Sequence, residues 1–243
     1  MGKLGLVLVS VLFGLLLAAP QSAFAGPFIL HPSGFGEHSY SSWKGSEGLP
    51  DNTGNKDQAL YFQKMTDTTT FAAGVAVFKG FEGMSTEAIT ALEFWVGLDG
   101  HCGAGAPRFN VRYVDALGNE NTLFFGCSSG MTPTDPTSTQ MAPNGRIFER
   151  RCAGVCDVPL FLPPGTIRSV AIVFDEGTTT LGVPTGFAGF AFLDNIRVGD
   201  HTWTSASDNG NNPDSTANTA ETLTLEELEA LLGEPIGSLF PET

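Results

Sequence analysis

The sequence predicts an all-β protein: an antiparallel jelly-roll β-sandwich, followed by a flexible linker and one short C-terminal helix. Three observations carry this. Short apolar runs separated by Gly, Pro, Asp and Asn recur through residues 57–203, which is the rhythm of strands and turns. No helical pattern of useful length interrupts them, and this removes βαβ architecture. Two runs alternate strictly. Leu92, Phe94, Val96 and Leu98 oppose Glu93, Trp95, Gly97 and Asp99, and Phe109, Val111 and Tyr113 oppose Arg108, Asn110 and Arg112. Such alternation belongs to antiparallel sheets with one dry face. Seven or more such strands in one unit pack as a sandwich or jelly roll.

In chain order, residues 1–25 read as an export signal. Lys3 supplies the positive start and Leu4–Ala19 an uninterrupted apolar run. Pro20 breaks the run, and Ala23 and Ala25 are the small residues a signal peptidase reads. The run is shorter than the roughly 20 residues that span a bilayer. No later run approaches that length, so the mature chain is expected to carry no membrane span and to be secreted, extracellular or periplasmic. The sandwich is expected over residues 26–206. Its strands are placed at Asp57–Met65, Phe71–Lys79, Leu92–Leu98, Pro107–Asp115, Asn121–Cys127, Ile167–Phe174 and Gly189–Val198. Ser128–Asn144 and Thr178–Pro184 are expected loops. Trp43 and Trp203 flank the strand region as lids or seams of the core.

Residues 207–222 are rich in Asp, Asn, Ser, Thr and Gly and read as a linker. Residues 223–243 hold the helix and tail. Thr224 and Glu227 form a capping box, and Gly233 and Pro235 end the helix. Leu225, Leu228, Leu231 and Leu232 make an apolar stripe. A helix this short is marginal alone in water. The stripe therefore needs a surface, either the sandwich itself or another protein.

An export compartment permits disulfides. Four cysteines allow three pairings. A hairpin turning at Leu117-Gly118-Asn119 would bring Cys127 back to Cys102, and Gly154 lets the short loop from Cys152 to Cys156 close. Cys102–Cys127 and Cys152–Cys156 are the expected pairs. A zinc site is disfavoured because His101 is the only histidine near any of them.

With 12 Lys and Arg against 26 Asp and Glu, the net charge is −14. Nucleic acid is thereby excluded as a partner class, since its binding runs on clustered cations. The chain shows no Gly-x-Ser-x-Gly, His-Glu-x-x-His or phosphate-cradling loop. Glu93 and Asp99 would stand roughly 20 Å apart along one strand, too far for a glycosidase pair. An enzyme is therefore not expected. The polar strand face bearing an indole remains: Glu93, Trp95, Asn110 and Arg112 would compose a glycan-binding surface if their strands adjoin. Exposure of Trp95 discriminates between a glycan-binding module and a structural or interaction protein of the cell exterior that assembles through its surface and C-terminal helix. Burial of Trp95 favours the second.

Three stretches belong together. They are Gly48-Leu49-Pro50-Asp51-Asn52-Thr53-Gly54-Asn55 leading into Ala59-Leu60-Tyr61-Phe62; Gly100-His101-Cys102-Gly103-Ala104-Gly105-Ala106-Pro107-Arg108-Phe109-Asn110-Val111 leading to Leu123-Phe124-Phe125-Gly126-Cys127; and Gly189-Phe190-Ala191-Phe192-Leu193-Asp194-Asn195-Ile196-Arg197-Val198. Over residues 35–203 the chain resembles secreted jelly-roll proteins of the galactose-binding and carbohydrate-binding-module type. That resemblance implies a structural Ca²⁺ held by a carboxylate on the last strand against an N-terminal loop. Asp194 matches the strand position and Glu37 falls in the corresponding loop, although the loop lacks the usual Asn. Calcium needs six to eight oxygens. The alternative for Asp194 is a carboxylate that accepts backbone hydrogen bonds at a strand end.

Overall fold

The computed structural model describes residues 28–36, 38–51, 56–64, 72–131, 138–154, 156, 158–175, 189–208, 223–233 and 235. The expected export signal, the Thr178–Pro184 loop and most of the expected linker lie outside them. Among the described residues, twelve strands form two antiparallel sheets: β1 (Ile29–Phe35), β2 (Tyr40–Lys44), β3 (Ala59–Lys64), β4 (Ala73–Lys79), β5 (Leu92–Gly97), β6 (Arg108–Asp115), β7 (Glu120–Gly126), β8 (Thr139–Met141), β9 (Ile147–Ala153), β10 (Gly165–Phe174), β11 (Gly189–Val198) and β12 (His201–Trp203).

The five-stranded sheet has the order β1-β4-β10-β6-β7. The seven-stranded sheet has the order β2-β3-β11-β5-β9-β8, with β12 on β11. Within them, β3-β11-β5-β9 faces β4-β10-β6-β7, the strand order of an eight-stranded jelly roll. The N-terminal strands β1 and β2 each extend one sheet at its edge. Pro32 is tolerated in β1 because an edge strand needs only one side of its ladder. All seven expected strands are present. β1, β2, β8, β9 and β12 are additional, and β8 falls within the stretch read as a loop.

Both layers feed one core. Leu60, Phe62, Phe94, Val96 and Leu193 from the larger sheet meet Phe78, Phe109, Val111, Ile172 and Phe174 from the smaller. Trp43 and Trp203 are part of it, as expected of lids and seams. Phe78 packs edge-on to Trp203 at 5.1 Å. Both expected disulfides are formed. Cys102–Cys127, with Cα atoms 5.3 Å apart, ties the loop after β5 to the end of β7 and so joins the two layers. Cys152–Cys156, at 6.1 Å, closes the short loop after β9. Disulfides of this kind suit an oxidising compartment.

The outer face of the smaller sheet is also apolar. Val75 and Val77 on β4 and Ala171 and Val173 on β10 point away from the core, and α1 (Leu225–Leu232) lies across them. Thr224 and Glu227 form the capping box, and Gly233 ends the helix in the left-handed conformation. Leu228 and Leu232 are buried on the sheet, with Leu231 packed alongside, while Leu225 stays exposed. The stripe thus docks in cis, on the first of the two surfaces considered for it, and that surface is supplied by β1, β4 and β10. Among the described residues no helix is long and apolar enough to cross a membrane.

Candidate functional site

The four residues of the expected glycan surface do not come together. Glu93 and Trp95 sit on β5 in the larger sheet, and Asn110 and Arg112 on β6 in the smaller. The neighbours of β5 are β11 and β9, so the two strands never adjoin. Their core-facing neighbours Phe94, Val96, Phe109 and Val111 meet inside. The two polar pairs therefore face opposite sides of the molecule. The strand pattern assigned the faces correctly, but sheet membership is a long-range property that alternation does not encode.

Each of the four already has a local duty. Glu93 receives two hydrogen bonds of 2.7 Å from Arg150 of β9. Trp95 is only 9% exposed and packs with Leu49, Ala142, Phe148 and Phe192. Asn110 accepts from Arg108 Nε at 3.0 Å, and Arg108 grips Asp175 through both Nη1 and Nη2. Arg112 pairs with Glu120. Removing the indole of Trp95 would open a cavity under the β2–β3 connection and would not strip a surface platform.

That connection covers Trp95 because Gly48 permits it. A Cβ on Gly48 would stand 2.1 Å from the Gln58 carbonyl oxygen and 2.6 Å from Asp194 Oδ2, so only glycine lets the backbone approach this closely. Asp194 itself is 1% exposed. It precedes a register shift in β11, where Asn195 has φ of 46°. Bulges of this kind re-aim side chains. Asp194 Oδ2 accepts the Leu49 N–H and Oδ1 the Asn195 N–H, both at 2.6 Å. Burial pushes its pKa up to about 7 against the lowering effect of these two bonds, and the charges of Asp51 and Asp57 push the same way as burial.

The backbone role considered for Asp194 is therefore the one observed. Glu37, its expected calcium partner, lies outside the described residues. Among the described residues, no group of three or more His, Cys, Asp or Glu is placed to hold a metal ion.

The outer face of the larger sheet does carry an aromatic surface, displaced from β5 onto the next two strands, β11 and β3. Tyr61 on β3 and Phe190 and Phe192 on β11 alternate outward, opposite the core-facing Leu60, Phe62, Ala191 and Leu193. Tyr61 stands 4.8 Å from Phe192, 6.2 Å from Phe190 and 6.0 Å from Tyr40 of β2, measured between ring centres. Its hydroxyl donates to Gln63 at 2.9 Å. Burial, with the neighbouring Tyr40 phenol, raises its pKa. Tyr61, Phe190 and Phe192, with Lys44, Glu47 and Arg146, line a shallow groove of about 300 Å³.

Arg146 forms one end of the groove. Its guanidinium lies 3.5 Å from the Phe192 ring centre. Nε donates to both oxygens of Asp99 at 3.0 Å, and Nη1 donates to the Glu47 carboxylate. Stacking and two acids fix the plane of this side chain. Lys44 Nζ lies 5.6 Å from the Tyr40 ring centre and 5.7 Å from that of Tyr61.

Sequence reasoning placed Tyr61 and Phe190 in strands without giving them a role. β11 is apolar on both faces, so nothing in its pattern marks Phe190 as outward. Tyr61 and Gln63 on one face of β3 are the signal that was available. No protein-family model, no curated protein and no solved structure matches the chain. The likeness to carbohydrate-binding jelly rolls thus rests on the quoted residues alone.

Proposed function

We propose that this protein is a noncatalytic, secreted binding module that holds a carbohydrate chain across the outer face of its larger sheet. The observation that carries the reading is the groove at Tyr61: the half-buried rings of Tyr61 and Phe190 beside the buried Phe192, flanked by Lys44, Glu47 and Arg146, on an otherwise acidic chain. Sugar rings lay their C–H faces on aromatic side chains, and charged groups at the margin orient the hydroxyls. The acids at the groove support a binding role over a catalytic one, because Glu47 and Asp99 are both engaged by Arg146. A pair of disulfides accords with the exported location.

A second reading, an interaction protein of the cell exterior, draws support from two features. Trp95 is buried, and Leu98, Met141 and Ile147 are all exposed. Met141 and Ile147 pair across β8 and β9, and the Leu98 amide donates to the Ile147 carbonyl, so the three make one apolar patch.

Electrophoresis through gels containing polysaccharides separates the readings. Tyr61→Ala is expected to weaken retention by roughly tenfold or more, equivalent to about 1.4 kcal/mol, with the near-ultraviolet circular dichroism of the fold kept. Retention unchanged by the substitution would remove the groove as the site. Failure of every polymer to retain the wild-type chain, together with self-association in sedimentation, is what the second reading expects.

A further inference from the structure

We propose that the groove is specific for acidic glycans, binding a uronic-acid residue with its ring over Tyr61 and Phe190 and its carboxylate on Lys44 Nζ and Arg146 Nη2. This rests on the carbohydrate reading above and narrows it to a ligand class.

The charge arrangement within the groove points there. Glu47 and Asp99 are each bound by Arg146, through Nη1 and Nε respectively. Among the described residues, Nη2 of that guanidinium has no partner. Lys44 is the other cation of the groove, and it contacts two aromatic faces while pairing, among the described residues, with no carboxylate. An ammonium beside rings and lacking an acid is a donor set for an anion. A neutral sugar would leave both donors to water, whereas a hexuronate places one carboxylate at the rim of a stackable ring. A net charge of −14 opposes a polyanion at long range. At ~0.15 M salt the screening length is about 8 Å, so the local donors decide.

The test compares polygalacturonate and alginate with their fully methyl-esterified forms, in ~0.15 M NaCl, by affinity electrophoresis of the full chain. Wild type is expected to bind at least one polyuronate roughly tenfold more tightly than its ester. Lys44→Met should bring acid and ester within about twofold of each other, while Lys44→Arg keeps the preference. Equal binding of acid and ester by the wild type overturns the acidic specificity and leaves the carbohydrate reading standing. A preference that survives Lys44→Met overturns the assignment of Lys44. No retention by any polymer, charged or neutral, sinks the carbohydrate reading itself.

Discussion

Asp194 shows how one buried carboxylate can set a pH dependence. Its folded pKa is about 7, whereas an unfolded Asp titrates near 3.9. Between those values the folded state binds more protons than the unfolded one, so stability falls as pH rises from about 4 to about 7 and levels off above that. Asp194→Asn removes this titration. The amide also turns an N–H toward one of the two backbone donors that Asp194 now accepts, so the variant starts less stable. The diagnostic is the slope. The stability advantage of wild type over the variant should shrink by a few kcal/mol between pH 4 and pH 7 in urea unfolding. An advantage that is flat across this window would show that Asp194 titrates normally. Lys64 is a second buried charge, 1% exposed, and it donates to the Asp175 carbonyl at the strand ends. The carboxylate of that same Asp175 is held by Arg108, so the buried cations Lys64 and Arg108 both end on an acceptor of Asp175.

β4 and β10 explain why the chain carries a C-terminal helix. Ala73, Val75 and Val77 alternate with Ala76 and Phe78, and Ala171 and Val173 with Val170, Ile172 and Phe174, so where β4 pairs with the second half of β10 neither face is polar. A sheet apolar on both sides needs a second cover, and the α1 stripe supplies one. Lys79 Nζ donates to the Leu231 carbonyl near the end of the helix, a favourable cation position there. Leu228→Ala is expected to weaken docking by about 2–5 kcal/mol, read as faster amide exchange across α1 with the core strands still protected. Exchange in α1 unchanged by that substitution would mean that other contacts hold the helix. The strands the pattern missed have physical reasons of their own. β1 contains Pro32 and Gly34, both poor strand signals. β9 reads as polar through Glu149, Arg150 and Arg151; Arg151 pairs with Glu149, and Arg150 pairs with Glu93 across the ladder.

The molecule as a whole is a jelly roll whose two outer faces are treated differently. α1 covers the smaller sheet. The β2–β3 connection covers part of the larger one, over Trp95 and Asp194, and leaves the Tyr61 groove open beside it. Among the described residues, six of the ten strand pairings join strands that are not consecutive in sequence, so covalent closure of the layers limits the freedom of the unfolded chain. Cys102→Ser is expected to lower stability by ~2–5 kcal/mol, measured by denaturant unfolding under oxidising conditions. A wild-type protein found with four free thiols by intact mass would contradict the premise.

Local pattern was enough to define seven strands, the capped helix, the cysteine pairs and the alternation of β5 and β6, because those depend on near neighbours, on turn residues and on short loops. Which strands share a sheet was not legible. That depends on the closure of the whole roll, and it sent Trp95 and Asn110 to opposite sides of the molecule. Tertiary structure also decided which aromatic residues stay open. Trp95 and Tyr61 look equally outward by periodicity, yet Gly48 brings a loop over one and leaves the other at the edge of a groove.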